Sequence, residues 1–122
     1  SDVSSSDLAQ RVLAARAIAQ DTSWLILDEP TSSLDVKHQI ELMNSMVTLN
    51  QEKKRTILTV LHDINLASSY CSHIIMMKDG EIYSQGETED VLTKENLRKV
   101  YKIHFDILIN PHTGKKYYVP YT

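Results

Sequence analysis

Apolar residues recur along the 122-residue chain with two periods, one typical of helices and one typical of strands. Helical spacing predicts a helix over residues 7–20. Unbroken apolar runs over 24–27 and 56–61 have the length of strands and predict two strands that are buried on both faces. Between them, Asp35 is suited to cap a helix, whose apolar stripe is Val36, Ile40, Met43 and Val47. The order strand, helix, strand predicts a βαβ unit with parallel strands.

The rest of the chain is predicted to form short helices and β-hairpins. The dipeptide Asp79-Gly80 favours a tight hairpin turn. The predicted elements are, in order, a helix at 64–70, strands at 74–77 and 82–84, helices at 88–92 and 94–102, and strands at 105–109 and 117–119. We find no internal repeat and no linker, so the predicted fold class is α/β.

Composition excludes several functions. The formal net charge is −3, whereas a nucleic-acid-binding surface usually shows a basic excess, so no nucleic-acid partner is expected. The one cysteine, Cys71, permits no internal disulfide and is typical of a reducing compartment. No apolar run approaches the roughly 20 residues that span a bilayer, and no signal peptide opens the chain. Membrane association is therefore expected through a partner.

Charged side chains follow both predicted strands of the βαβ unit. Asp28 and Glu29 end the first strand and His62 follows the second, and the carboxyl ends of parallel strands are where ligands bind. One carboxylate suits Mg2+, the other suits orientation or deprotonation of a water, and the imidazole suits contact with a phosphate. The alternative is a plain turn, since Pro30 disfavours helix at the residue before it. The remaining histidines lack metal-ligand spacing, and His38 is expected to face solvent.

Three segments in a fixed order resemble the nucleotide-binding subunit of ABC transporters. They are QRVLAARAIAQ at 10–20, LILDEPTSSLD at 25–35 and VLHD at 60–63. In that family they correspond to the helix after the signature sequence, the Walker B strand with the D-loop, and the switch histidine. The resemblance continues through MMKDGEIYSQG to the end of the chain. The stretch SLDVKHQIELM and the tail look like the importers of iron–siderophore complexes, haem and cobalamin.

The resemblance implies a P-loop NTPase-like ATPase fold that uses ATP and Mg2+. It implies that Asp28 holds Mg2+, that Glu29 is the base or orienter for the attacking water, and that His62 contacts the γ-phosphate. It also implies a D-loop that touches the opposite subunit, formed by Ser32, Leu34 and Asp35. The repulsion between the adjacent carboxylates of Asp28 and Glu29 is then balanced only when the cation and the polyphosphate are both present.

The chain departs from the family pattern in two places. The phosphate loop G-x-x-x-x-G-K-[ST] is missing, because the three glycines Gly80, Gly86 and Gly114 have other contexts. The signature falls on residues 4–8, where Ser5 matches but Asp7 replaces a glycine. We interpret the chain as the C-terminal half of an ABC ATPase domain, with the phosphate-loop half absent and residues 1–9 of uncertain origin.

The domain expectation follows from these matches. Residues 1–122 form the C-terminal part of one ABC ATPase domain, with the signature helix at 7–20, the Walker B strand and D-loop at 24–35, the switch histidine His62, and C-terminal hairpins and helices at 74–122.

The functional expectation is an ATPase subunit of an iron–siderophore, haem or cobalamin importer. In the complete protein it would work as a dimer, bound to transmembrane permease subunits on the cytoplasmic face of the cell membrane. The chain by itself is expected to be inactive. Two alternatives remain open at this point: a soluble ABC ATPase without a transport role, and a non-catalytic interaction or regulatory module.

Overall fold

The structure is a computed structural model that describes residues 23–122. The described part of the chain divides into two compact units, a first one that ends at His62 and a second one over residues 63–122. The described elements of the first unit are β1 (Trp24–Asp28), α1 (Val36–Glu52) and β2 (Thr56–Val60). Those of the second are α2 (Ile64–Tyr70), β3 (His73–Lys78), β4 (Glu81–Glu87), α3 (Thr88–Val91), α4 (Lys94–Tyr101), β5 (His104–Ile109) and β6 (Lys116–Tyr121). The predicted helix over 7–20 lies outside the described residues.

The first unit contains the predicted βαβ arrangement. Strands β1 and β2 pair in parallel, in a register that runs from Trp24 opposite Thr56 to Asp28 opposite Val60. Helix α1 connects them, as a parallel pair requires a crossover. The prediction of an α/β fold with a parallel βαβ unit is therefore confirmed.

Burial alternates along β1, so the prediction of a strand buried on both faces is wrong for this structure. Leu25 and Leu27 are buried, whereas Ile26 is 71% exposed. The register places Leu58 beside Ile26 on the same face, and Leu58 is also exposed. A continuous apolar run carries no alternation, and for that reason it does not indicate how many faces of a strand are covered.

Helix α1 buries only part of the predicted stripe, since Met43 is buried and Val47 is half-buried. Met43 and Met46 are buried, but Val36 is largely exposed and Ile40 is exposed as well. Gln39, in the first turn of α1, is half-buried, and its side-chain amide donates a hydrogen bond to the carbonyl oxygen of Thr31 at 3.1 Å. Neither α1, at 17 residues, nor any other helix within residues 23–122 is long and apolar enough to cross a membrane.

Both predicted hairpins form in the second unit. Strands β3 and β4 pair antiparallel, as do β5 and β6. The turn between β3 and β4 is made by Asp79 and Gly80, with φ angles of 50° and 77°. Two successive positive φ angles are what a tight hairpin turn of this kind requires, which explains the Asp-Gly sequence.

The core of the second unit lies among the hairpins and the short helices. Its buried members are Met76, Val91, Leu92, Leu97, Phe105 and Tyr118. Helix α2 is tied to β6 by Asn65, whose side-chain amide donates to the Tyr118 carbonyl and accepts from the Tyr118 N–H. Asp63 caps the same helix by accepting from two backbone N–H groups.

The burial pattern predicts how this unit responds to loss of a leucine side chain. Leu97 is 0% exposed and Leu108 is 54% exposed. We expect Leu97→Ala to lower the free energy of unfolding by about 2–5 kcal/mol, because it removes buried apolar contacts and leaves a cavity. The matched variant Leu108→Ala should change it by less than about 0.5 kcal/mol. Urea unfolding followed by circular dichroism measures both, and equal losses would contradict this description of the core.

Candidate functional site

Glu29 directly follows β1 in a backbone conformation that non-glycine residues seldom adopt. Its φ angle is 48°, in the left-handed region. Its N–H donates to the carbonyl oxygen of Val60 at 2.9 Å, so the bonding between the chain segments of β1 and β2 continues one residue beyond β1. Backbone strain of this kind clusters at functional sites, where the surrounding structure holds it.

The Glu29 carboxylate contacts a histidine from the neighbouring strand. Oε1 of Glu29 lies against Nε2 of His62, two residues after the end of β2. The Glu29 side chain is 37% exposed and the His62 side chain 80% exposed, so the pair is accessible to a ligand. A carboxylate held in place by an imidazole is suited to orient a water or to accept its proton.

Asp28 ends β1 and is exposed. Strand alternation places it on the same face as Ile26, and within residues 23–122 its side chain has no ion-pair or hydrogen-bond partner. The described residues contain no group of three or more His, Cys, Asp or Glu side chains that would hold a metal without help. Mg2+ is typically held by one or two carboxylates together with substrate phosphates. The Asp28 carboxylate therefore fits Mg2+ bound jointly with a polyphosphate.

The segment after Glu29 folds into two overlapping turns. The N–H of Ser32 donates to the Glu29 carbonyl oxygen at 3.2 Å, and the N–H of Leu34 donates to the Thr31 carbonyl oxygen at 3.1 Å. Leu34 and Thr31 are buried, whereas Ser32 is exposed. The buried pair anchors the segment from inside and leaves Ser32 accessible.

Asp35 ends this segment and caps α1. One of its carboxylate oxygens, Oδ1, accepts from the N–H of His38 at 2.9 Å and lies 2.8 Å from Nδ1 of the same histidine. The prediction that His38 faces solvent is therefore wrong, because its ring is held against Asp35 and is largely buried. The spacing Asp35-x-x-His38 was the available signal, because residues three apart at the start of a helix are neighbours.

Gln39 was also missed by the sequence analysis. Its side chain fixes the Thr31 carbonyl oxygen in the middle of the turns, and a glutamine inside a helix gives no local signal of such a contact. The structure thus brings Glu29 and His62 together, and it places Ser32 and Asp35 along the segment that leaves Glu29. Ser5 lies outside the described residues.

Comparison with known proteins identifies relatives among the ATP-binding proteins of transport systems. No family model matches the chain. The petrobactin import ATP-binding protein FpuD of Bacillus anthracis is 40% identical over 112 residues, which are 92% of this chain and 41% of that protein. Other relatives are the ferric enterobactin transport ATP-binding protein FepC of Escherichia coli, the iron(3+)-hydroxamate import ATP-binding protein FhuC of Bacillus subtilis and the cobalamin import ATP-binding protein BtuD of Halobacterium salinarum. The chain spans about two fifths of the length of the siderophore-type relatives it matches.

Solved structures agree in fold. An inward-facing structure of a transporter assigned to the metal-chelate ABC type superimposes with a TM-score of 0.84 and 26% identity, over 94% of this chain and 46% of that chain. The dimeric ATP-binding cassette MJ0796, in a post-hydrolysis state bound to ADP and Pi, superimposes with a TM-score of 0.61 and 38% identity, over 65% of this chain and 34% of that chain. The chain is thus homologous to the ATP-binding subunits of ABC transporters and carries part of their ATPase domain.

Proposed function

We propose that this chain is part of the ATP-hydrolysing subunit of an ABC importer for an iron–siderophore complex, haem or cobalamin. The observation that carries the proposal is the contact between Glu29 and His62 at the shared carboxyl edge of a parallel strand pair. The names of the relatives, which are import or transport ATP-binding proteins for petrobactin, ferric enterobactin, iron(3+)-hydroxamate and cobalamin, support the siderophore and cobalamin parts of this substrate class. In the complete protein, ATP hydrolysis at this edge drives transport.

Glu29 is the proposed base of the reaction. Its carboxylate accepts the proton of the attacking water or orients that water toward the γ-phosphate. His62 lies against the carboxylate through Nε2 and, being largely exposed, presents its ring to the phosphate, where a polar side chain stabilises developing negative charge. The left-handed backbone at Glu29 aims the side chain across the strand pair toward His62.

Asp28 is the proposed residue for Mg2+ that arrives with ATP. When bound, the cation neutralises phosphate charge and polarises the phosphoryl oxygens. Asp28 would hold the cation, usually through water, from its exposed position at the end of β1. Ser5, Ser32 and Asp35 are the proposed residues for contacts with nucleotide and with the facing subunit.

The proposed partners are a second copy of the ATPase subunit and the transmembrane permease subunits. The dimeric state of the related cassette bound to ADP and Pi supports the first, and the names of the import proteins support the second. The subunit would then be cytoplasmic and peripheral on the inner face of the membrane. Exposure of Ser32 on an anchored turn is consistent with contact across such an interface.

The 122-residue chain by itself should bind ATP weakly and hydrolyse it negligibly. Its sequence contains no phosphate loop, and the backbone N–H groups and lysine of that loop provide the main grip on the phosphates. A phosphate-release assay on the purified chain, with and without Mg2+, measures this. Metal-dependent turnover that disappears in Glu29→Gln would contradict the prediction.

In the complete ATPase subunit, Glu29→Gln should lower the turnover rate by about 10²–10⁴ while ATP still binds, because the amide keeps the shape but does not accept the proton. Steady-state phosphate release and nucleotide binding are measured in parallel. The matched control is Glu41→Gln, an exposed carboxylate on α1 that pairs with Lys37 at 3.9 Å, and it should leave both values unchanged. A rate for Glu29→Gln within a few-fold of the wild type would show that Glu29 is not the base.

A further inference from the structure

The second unit contains an open cleft that the proposed ATPase site does not use. It has a volume of about 640 Å³ and lies between α4 and the β5–β6 hairpin. Its lining is Lys94, Glu95, Arg98, Lys99, Lys102, His104, Phe105 and Tyr121. The volume falls in the range of small-molecule sites, roughly 300–1,000 Å³.

Positive charge is concentrated on the helical side of this cleft. Residues 63–122 hold seven Lys and Arg against eight Asp and Glu, so this unit has no basic excess, yet four of those seven cations line the cleft. Lys99 is paired with Glu95 at 3.1 Å, and this carboxylate raises the pKa of Lys99. Lys94, Arg98 and Lys102 have no ion-pair partner within residues 23–122. The cleft therefore presents a net positive surface.

Lys94 and Arg98 are four residues apart and so lie on one side of α4, and Lys102 directly follows the helix in a left-handed conformation, with a φ angle of 60°. Like charges at this spacing destabilise a helix. The helix dipole compensates for cations near the C-terminal end, at Arg98 and Lys102, but it disfavours a cation at Lys94, the first helical residue. The helix dipole thus accounts for the positions of Arg98 and Lys102 but not for that of Lys94. An anion bound in the cleft would stabilise the positive charge of all three side chains.

The opposite wall of the cleft is aromatic. The rings of His104 and Tyr121 stack with centroids 5.5 Å apart and an angle of 22°, and Phe105, which is buried, also lines the cleft. Aromatic rings exclude water from one side of a bound group, and charge–charge attraction is stronger where water is excluded. Both walls belong to the same compact unit.

We infer that this cleft binds a phosphate-bearing anion, whose phosphate groups contact Lys94, Arg98 and Lys102. Phosphate accepts charge-assisted hydrogen bonds from both Arg and Lys, and a diphosphate offers enough oxygens to contact more than one of the three. The same chemistry is available from a soluble phosphate compound and from an anionic lipid headgroup. The site is separate in sequence from the ATPase residues, which all precede residue 63.

The test uses inorganic pyrophosphate as the probe for a soluble phosphate and phosphatidylcholine vesicles, with or without phosphatidylglycerol, as the probe for a headgroup. Calorimetry and vesicle sedimentation are carried out on the wild-type chain, on Lys94→Gln/Arg98→Gln, and on Lys102→Gln. The matched control is Lys53→Gln/Lys54→Gln, which removes the same charge from two exposed residues outside the cleft. Circular dichroism verifies that each variant is folded.

We expect Lys94→Gln/Arg98→Gln to weaken binding by roughly tenfold or more, the effect of losing one or two charge-assisted bonds, and the control to change it by less than about twofold. Lys102→Gln should weaken it in the same direction. Binding of pyrophosphate without vesicles identifies a soluble ligand, and binding that depends on phosphatidylglycerol identifies a headgroup. Absence of binding to both probes, or equal weakening by the cleft variant and the control, would overturn the inference.

Discussion

The parallel register of β1 with β2 is the constraint on which the candidate site depends. Asp28 ends β1 and lies opposite Val60, which ends β2. Glu29, which follows β1, and the residues that follow β2 therefore meet at the same edge of the strand pair. The Glu29 N–H bonds to the Val60 carbonyl oxygen, and its side chain reaches His62. A shift of the pairing by one residue would exchange the faces of the strand and separate this pair.

The segment that follows is held by contacts made on its inner side. Gln39 from the first turns of α1 fixes the Thr31 carbonyl oxygen, and Asp35 begins the helix with His38 against its carboxylate. These contacts stabilise a short turn in which Ser32 stays exposed. The same helix therefore holds the segment that follows Glu29, including the surface that we propose for contact with a second subunit.

Much of the fold could be predicted from the sequence because local signals were strong. The Asp79-Gly80 turn and the apolar runs each identified an element whose type the structure confirms. Which face of an element is buried was harder to predict, as Ile26 and Ile40 show, because a burial face depends on what packs there. Strand order and family resemblance together predict Glu29 and His62 as site residues. The contacts of Gln39 and His38 could not be predicted in the same way, because residue spacing only partly encodes which side chains meet.

The central claim is that Glu29 and His62 act as one catalytic unit, and a double-mutant cycle in the complete ATPase subunit tests it most directly. Turnover is measured for the wild type, Glu29→Gln, His62→Ala and the double variant, with nucleotide binding verified in each. We expect His62→Ala to lower turnover strongly in the wild type and far less once Glu29 is Gln, since residues in contact are energetically coupled. Additive losses from the two substitutions would contradict the account.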